Sequence, residues 1–435
     1  MKKLLFLIAI LFSLTVIAQD KFTKMDSLLT YLYKNNKFMG SLCIREGENV
    51  VFNKAYGFAD AEKEIAADRL TKYKIGSITK TFTAVLIMQL IEEKKLTLQT
   101  KLNRFYPKIA NAEKISIEDL LFQRTGIMDY LNQDSTIVHE LYKKNEPQAI
   151  IKRIEKYESL FEPNSKHEYS NSNYYILGLI VERISKKSFA ENVENRIVKK
   201  ANLLNTYYKS ELIESSKNEC LSYLFNSETW EEIPEINPSL LFSTGGIIST
   251  AADQTRFLQA LFDYKLLSKK GVDKMKEIKD GYGAALVKIP FGDRKFYGHN
   301  GKIDGYFSTI GYNETEKTSI AFLMNGVNYN QNDIMIGILS IYYKMPYPFP
   351  IFTKIDAAEL AKFTGTYASK DLPMKITVSE KNGELIAQAT GQSSFPLTYI
   401  KEKTFAFATA GIEMVFNENS FVLKQGGMKF NFEKE

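Results

Sequence analysis

Gly76-Ser77-Ile78-Thr79-Lys80-Thr81-Phe82-Thr83-Ala84-Val85-Leu86-Ile87-Met88-Gln89-Leu90-Ile91 opens a helix predicted over residues 77–94. Phe82, Val85, Leu86, Met88, Leu90 and Ile91 cover almost its whole circumference. A helix apolar nearly all round has no face to offer water, so it belongs at the centre of a domain. Before it, residues 26–35 read as a short amphipathic helix. Residues 40–45 and 50–56 read as a strand pair around a Glu46-Gly47-Glu48-Asn49 turn. After it, helical spacing recurs near 117–122, 146–157, 173–185 and 251–262. Strand-like runs return at 294–299, 306–313 and 318–324, ahead of a helix near 333–343. Strands at both ends with helices between predict one sheet built from both ends and packed against helices, an α+β or three-layer arrangement.

At Met345-Pro346-Tyr347-Pro348-Phe349-Pro350, alternate prolines predict an extended linker over residues 345–356. Beyond residue 357 the hydrophobic period changes to two. Eight short runs, at 365–368, 374–380, 384–389, 395–400, 404–408, 412–416, 420–424 and 428–432, predict a small all-β up-and-down barrel over residues 357–435.

The N-terminus has a different character. Lys2 and Lys3 precede an apolar run over residues 4–17, and Val16 and Ala18 give the small-residue pattern of a signal-peptidase site. Residues 1–18 are therefore read as a secretory signal cleaved before Gln19, leaving a domain at 19–344. The run is short for a membrane span of about 20 residues, and no apolar run of that length follows. A periplasmic or secreted protein without a stable membrane span is expected. Export would put Cys43 and Cys220 in an oxidising compartment. Even so, the apolar Ser41-Leu42-Cys43-Ile44 favours a buried free thiol over a Cys43–Cys220 bridge.

Composition narrows the chemistry. The chain has 435 residues, 57 Lys and Arg against 51 Asp and Glu, and a net charge of +6. The charges are interspersed, which argues for a solvated surface and against a nucleic-acid footprint. Only three histidines, His139, His167 and His299, are present, none at metal-ligand spacing. No metal and no organic cofactor is expected. There is no G-x-S-x-G elbow, no Walker A and no H-E-x-x-H. Gly281-Tyr282-Gly283 lacks the third glycine of a dinucleotide loop. A nucleophile in this chain must therefore find a base other than histidine.

Three elements supply candidates. Ser77 is the only one of the 29 serines with a lysine three residues on. Ser77 and Lys80 share a helix face, and a lysine buried there would have a lowered pKa and could take the serine proton. In Tyr169-Ser170-Asn171, a tyrosine whose phenolate is stabilised by lysines can shuttle a proton, and an amide can hold a substrate carbonyl. The turn Glu162-Pro163-Asn164 before it places Tyr169 on a loop entering a helix. In Gly298-His299-Asn300-Gly301, expected at a strand end, glycine lets a substrate lie along the strand edge. The following Lys302 N–H could pair with that of Ser77 as an oxyanion hole.

Together, Ser77…Lys80, Tyr169…Asn171 and His299…Gly301 resemble, in order and spacing, the S-x-x-K, Y-[SA]-N and [KH]-x-G motifs of the serine β-lactamase and penicillin-binding-protein superfamily. The resemblance is to its branch of class C β-lactamases, D,D-peptidases, D-aminopeptidases and related esterases. Gly245-Gly246-Ile247-Ile248-Ser249-Thr250-Ala251-Ala252-Asp253 also looks like the family, and the resemblance covers residues 25–343. The last 75 residues are similar to an appended lipocalin-like barrel. The resemblance implies an antiparallel sheet flanked by helices, with Ser77 as acylated nucleophile and Lys80 as base. Tyr169 would be a proton relay and deacylation base. Asn171, His299, Asn300 and Gly301 would be substrate-binding, with His299 in place of a cationic lysine. The implied activity is an exported acyl-enzyme hydrolase of amides or esters in D-amino-acid or cell-wall peptides, with peptidoglycan a candidate partner. A β-lactamase and a non-catalytic peptide-binding protein are the alternatives. Gln123 and Thr125 stand where relatives usually have His and Ser.

Overall fold

The computed structural model describes residues 21–435 apart from 227, 353, 354, 382, 393, 408 and 409. The signal-peptide reading and the last residue of the expected strand at 404–408 lie outside the described residues. The chain forms two compact units, one ending at Met345 and the other running Pro346–Glu435.

In the first unit, helix α1 occupies residues 21–34. Strands β1 (Phe38–Glu46) and β2 (Asn49–Tyr56) follow. A short 3₁₀ turn, Gly76–Ile78, leads into α2 (Thr79–Glu92). The helices that bear on the site are α3 (Asn171–Ser185), α4 (Pro238–Gly245) and α5 (Ala251–Phe262). Strands β3 (Val287–Phe291), β4 (Arg294–Ile303), β5 (Tyr306–Asn313) and β6 (Thr318–Val327) precede α6 (Gln331–Tyr342). The main sheet runs β3-β4-β5-β6-β1-β2, extended by the short strands Tyr223–Phe225 and Trp230–Glu232. The two chain ends do build one sheet, joined where β1 pairs antiparallel with β6.

Residues Thr79 to Leu90 of α2 are all buried. Its apolar circumference lets it pack on every side, for instance through the stack of Phe82 on Phe257 of α5 at 3.9 Å between ring centroids. Two of its buried threonines bond to distant carbonyls: Thr81 donates to Ala285 O and Thr83 to Ser243 O.

β4 departs from the sequence reading. The Gly298-His299-Asn300-Gly301 stretch was expected at a strand end, but β4 continues to Ile303, pairing Gly301 with Ser308 and Lys302 with Phe307. The unread signal is Asp304-Gly305, a two-residue hairpin turn with Asp304 at φ +50. On its other side β4 pairs with β3 only as far as Gly298. From His299 onward that edge is free of a strand partner.

The second unit opens with a helical turn, Ala357–Ala361, that the sequence reading missed. Eight strands follow: β7 (Gly365–Ala368), β8 (Lys375–Lys381), β9 (Glu384–Ala389), β10 (Phe395–Lys401), β11 (Thr404–Phe407), β12 (Ile412–Phe416), β13 (Ser420–Gln425) and β14 (Met428–Lys434). They close into a barrel through pairing of the first with the last. Phe363, Tyr367, Phe405, Phe416, Phe421 and Phe432 are buried together in its core. The fold class is the expected one, an α+β sandwich followed by an all-β barrel. Cys43 and Cys220 are both buried and free. No helix among the described residues is long and apolar enough to cross a membrane.

Candidate active site

Ser77 lies in the 3₁₀ turn that feeds α2, after Gly76 at φ +52, a conformation glycine adopts without strain. A Cβ on Gly76 would stand 3.0 Å from Lys302 N. The serine turn thus packs directly on the free edge of β4. This contact draws together residues more than 200 positions apart and forms one wall of a cleft of about 910 Å³.

Lys80, the second residue of α2, is fully buried. Its Nζ lies 3.0 Å from Ser77 Oγ, 2.8 Å from Asn171 Oδ1 and 2.9 Å from Thr244 O. Burial pushes its pKa down to about 7, with the negative charge of Asp129 opposing the shift. A neutral amine fits these contacts. Two N–H bonds go to Asn171 and Thr244, and the lone pair accepts the Ser77 proton.

Tyr169 stands on the loop before α3, as expected, and its hydroxyl donates to Ser77 Oγ at 2.8 Å. Its role as a phenolate needs correcting. Desolvation, reinforced by Tyr282, holds the phenol well above its ordinary value, so the hydroxyl keeps its proton. Lys80 is nearby, with Nζ 5.0 Å from the ring centroid.

Asn171 opens α3 with both ends of its amide engaged. Oδ1 accepts from Lys80, and Nδ2 donates to Asp129 Oδ2 at 2.9 Å. Asp129 is buried and also accepts from the Leu131 N–H and the Asn132 amide. A chain Asp129–Asn171–Lys80–Ser77–Tyr169 results. Gln123 and Thr125 support its start. Gln123 Oε1 accepts from Ser170 N at 3.1 Å and Asn173 Nδ2 at 2.6 Å, while Thr125 donates to Asn173 Oδ1 at 2.7 Å. The two departures from the family pattern therefore fasten the first turn of α3.

His299 is buried, with Nδ1 2.5 Å from Asn300 O and Nε2 3.0 Å from the Tyr282 hydroxyl. Burial, then the adjacent Lys80, lowers its pKa to about 4. His299 is neutral at physiological pH: Nδ1–H donates to the carbonyl and Nε2 accepts from Tyr282. Asn300, Gly301 and Lys302 line the cleft with Ser77, Tyr169 and Asn171. The His167 ring lies tilted against Tyr282, 5.4 Å between centroids, and His139 lies on a separate short helix, Ser135–His139.

Sequence reasoning missed Asp129, Tyr282 and the Thr244 carbonyl. Asp129 has no motif around it. Tyr282 lies in the Gly281-Tyr282-Gly283 stretch dismissed as a failed cofactor loop, where Gly281 at φ +86 makes the turn that presents it. The Thr244 carbonyl is a main-chain group and leaves no compositional signal.

The family model described as Beta-lactamase matches residues 35–338. Teichoic acid D-alanine hydrolase of Staphylococcus aureus is 27% identical over 317 residues, covering 71% of this chain and 75% of that protein. Among solved structures, the octameric penicillin-binding protein homologue from Pyrococcus abyssi superposes with a TM-score of 0.71 at 24% identity, covering 94% of this chain and 99% of that one. D-amino acid amidase from Ochrobactrum anthropi SV3, complexed with L-phenylalanine amide, gives a TM-score of 0.65 at 21% identity, covering 75% and 99%.

Proposed function

As this chain belongs to the beta-lactamase family, whose relatives here are hydrolases of the serine β-lactamase fold, we propose that it hydrolyses amide or ester bonds of D-amino-acid derivatives through an acyl-enzyme on Ser77. The observation that carries this reading is the convergence on Ser77 Oγ of the fully buried Lys80 amine, its pKa lowered to about 7, and the protonated Tyr169 hydroxyl. The D-amino-acid class is supported by the S. aureus relative, by its name an enzyme acting on teichoic acid D-alanine.

The step runs as follows. Neutral Lys80 takes the Ser77 proton as Oγ attacks the carbonyl carbon. The carbonyl oxygen, now negative, is received by the N–H groups of Ser77 and Lys302. The leaving amine or alkoxide takes a proton from the Tyr169 hydroxyl, and the Lys80 ammonium beside it returns the proton it took from Ser77 to the Tyr169 oxygen. Water, deprotonated by the same pair, then cleaves the Ser77 ester. Asn171 transmits the charge of Asp129 to Lys80. The β-lactamase reading is the weaker one: His299, neutral near pH 7, offers no cation to a β-lactam carboxylate. The signal-like residues 1–18 support an exported enzyme acting on cell-wall peptides or small esters. The Pro-rich stretch supports separate domains at 19–344 and 357–435.

Labelling with a fluorophosphonate, followed by peptide mapping, tests the mechanism. The adduct is expected on Ser77 alone, and an adduct elsewhere, with Ser77 unmodified, overturns it.

A pH profile supplies an independent check. Because the neutral amine is the base, kcat/KM rises with pH through about 7 and is lost below it. His299, at about 4, adds no inflection between pH 5 and 8. Asp129→Asn removes the charge that holds the ammonium form, so the acid limb moves to lower pH. A limb that stays where it was would show that another group titrates.

A further inference from the structure

The ion pair Lys74–Asp304 is buried on both sides, as is Lys209–Glu219, and of these two only the first has a residue lining the cleft. Lys74 stands on the short strand Tyr73–Lys74, just before the serine turn. Asp304 stands in the turn between β4 and β5, just after Lys302. Their side chains are 4% and 2% exposed, with Lys74 Nζ 3.2 Å from Asp304 Oδ2. The same ammonium lies 2.7 Å from Glu235 Oε1, and Glu235 Oε2 accepts from Ile213 N at 2.8 Å. Asp304 Oδ1 accepts from the N–H of Ile236, a wall residue of the cleft, at 3.3 Å. One buried ammonium thus joins three pieces of chain: the run into the serine turn, the tip of the β4–β5 hairpin and the segment at 235–236.

From this we infer that Lys74 and Asp304 are positioning residues that set the separation of the Ser77 and Lys302 N–H groups, and so the fit of an oxyanion between them. The inference rests on the hydrolase reading above. Lys302 lies on the half of β4 that pairs with β5 alone among the described residues, so sheet pairing does not fix its distance from Ser77. The close approach of Gly76 and Gly301 to their neighbours limits how near the two segments come. Repulsion of that kind does not stop them from parting. Two attractive contacts do: Ser308 donates to Ile75 O in the middle of the hairpin, and Asp304 meets Lys74 at its tip. Where water is excluded, drawing a charge from its partner costs far more than at the surface. A buried pair therefore defines a geometry more than it adds stability.

Paired labelling reagents test this without reference to the natural substrate. With a fluorophosphonate or its P=S counterpart, the Ser77 Oγ–P bond forms, fluoride leaves and Lys80 takes the proton. Sulfur is larger and a weaker hydrogen-bond acceptor, so the P=O reagent gains more from well-spaced donors. The second-order rate of Ser77 labelling is measured with each. Comparing the oxygen-to-sulfur ratio between proteins cancels the reagents' own reactivities. Asp304→Asn is the mildest variant, because asparagine tolerates the φ of +50 there and still accepts from Ile236 N. It is expected to slow labelling by the P=O reagent about ten- to hundredfold and to lower the ratio about threefold or more. The acid limb of labelling stays near pH 7, since Lys80 is untouched. Lys74→Met should act in the same direction, with Lys74→Arg keeping part of the rate. If Lys74→Met does not fold, by circular dichroism, Asp304→Asn decides alone. Arg153→Met, which breaks the Asp134–Arg153 pair at another wall of the cleft, should leave the ratio at its wild-type value. An unmoved ratio in folded Asp304→Asn, or an equal fall in Arg153→Met, overturns the positioning role while leaving Ser77 chemistry standing. Absence of any Ser77 adduct from both reagents in the wild type overturns the hydrolase reading and the positioning role with it.

Discussion

Replacing Lys80 with Met is expected to lower kcat/KM by about 10³–10⁴ and, at the same time, to change how stability depends on pH. The kinetic loss follows from removing the base that contacts Ser77 Oγ. The stability effect follows from burial. An ordinary lysine titrates at 10.5, and in the folded chain Lys80 does so at about 7. Below pH 7 both folded and unfolded chains carry the proton, and the folded state bears the full desolvation cost. Between pH 7 and 10.5 the unfolded lysine still binds a proton while the folded one does not, so the wild type gains stability as pH rises. Methionine has no such dependence. Its own offset, from leaving Thr244 O and Asn171 Oδ1 without their donor, is about 1–3 kcal/mol for each group and nearly independent of pH. Urea unfolding of both proteins at pH 7 and pH 9 cancels that offset. The wild type should gain about 2 kcal/mol on the variant across the interval, at about 1.4 kcal/mol per unit of pKa separation. Parallel behaviour of the two proteins would mean that Lys80 is an ammonium in the resting site, and the base would have to be sought elsewhere.

What was readable in the sequence divides along a physical line. Ser77 and Lys80 are local, one helical turn apart, and the burial of Lys80 was implied by the apolar circumference of α2. The barrel was readable because period-two alternation and turn residues are local too, and seven of its eight strands lie wholly among the described residues near their expected bounds. The start of α3 was placed two residues late. Asn171, Ser172 and Asn173 look like loop residues, yet in the fold their side chains bond outward to Lys80, Met128 O and Gln123, leaving the backbone free to be helical. Asp129 and Tyr282 were unreadable because what makes them matter are partners 42 positions away at Asn171 and 17 away at His299. Charge states were the least readable. The shifts of His299 and Tyr169 follow from how completely the fold buries them, which no local motif encodes.

Gly301→Ala is expected to cost kcat/KM about 10²–10³, although it adds a single methyl group far down the chain from Ser77. A Cβ at Gly301 would lie 2.1 Å from Ile75 O and 2.3 Å from Ser308 Oγ. One of these is main chain at Ile75, just before the nucleophile turn, so no rotamer change relieves the contact. Ser308 is itself tied down, donating to Ile75 O at 2.8 Å. The edge of β4 must therefore move away from the turn at Gly76. That motion separates the two N–H groups, of Ser77 and Lys302, proposed to share the oxyanion, and misplacing one such donor costs about 10²–10³ in rate. The variant should still fold, since overpacking of this kind costs about 1–3 kcal/mol. Circular dichroism and the unfolding midpoint report that separately from turnover. Gly245→Ala is the matched control: it also borders the cleft, but its Cβ would find its nearest neighbour at 3.6 Å, an ordinary contact. Near-normal turnover in a folded Gly301→Ala, or an equal loss in Gly245→Ala, would show that the spacing between β4 and the serine turn does not set the rate, and the Lys302 N–H would lose its place in the mechanism.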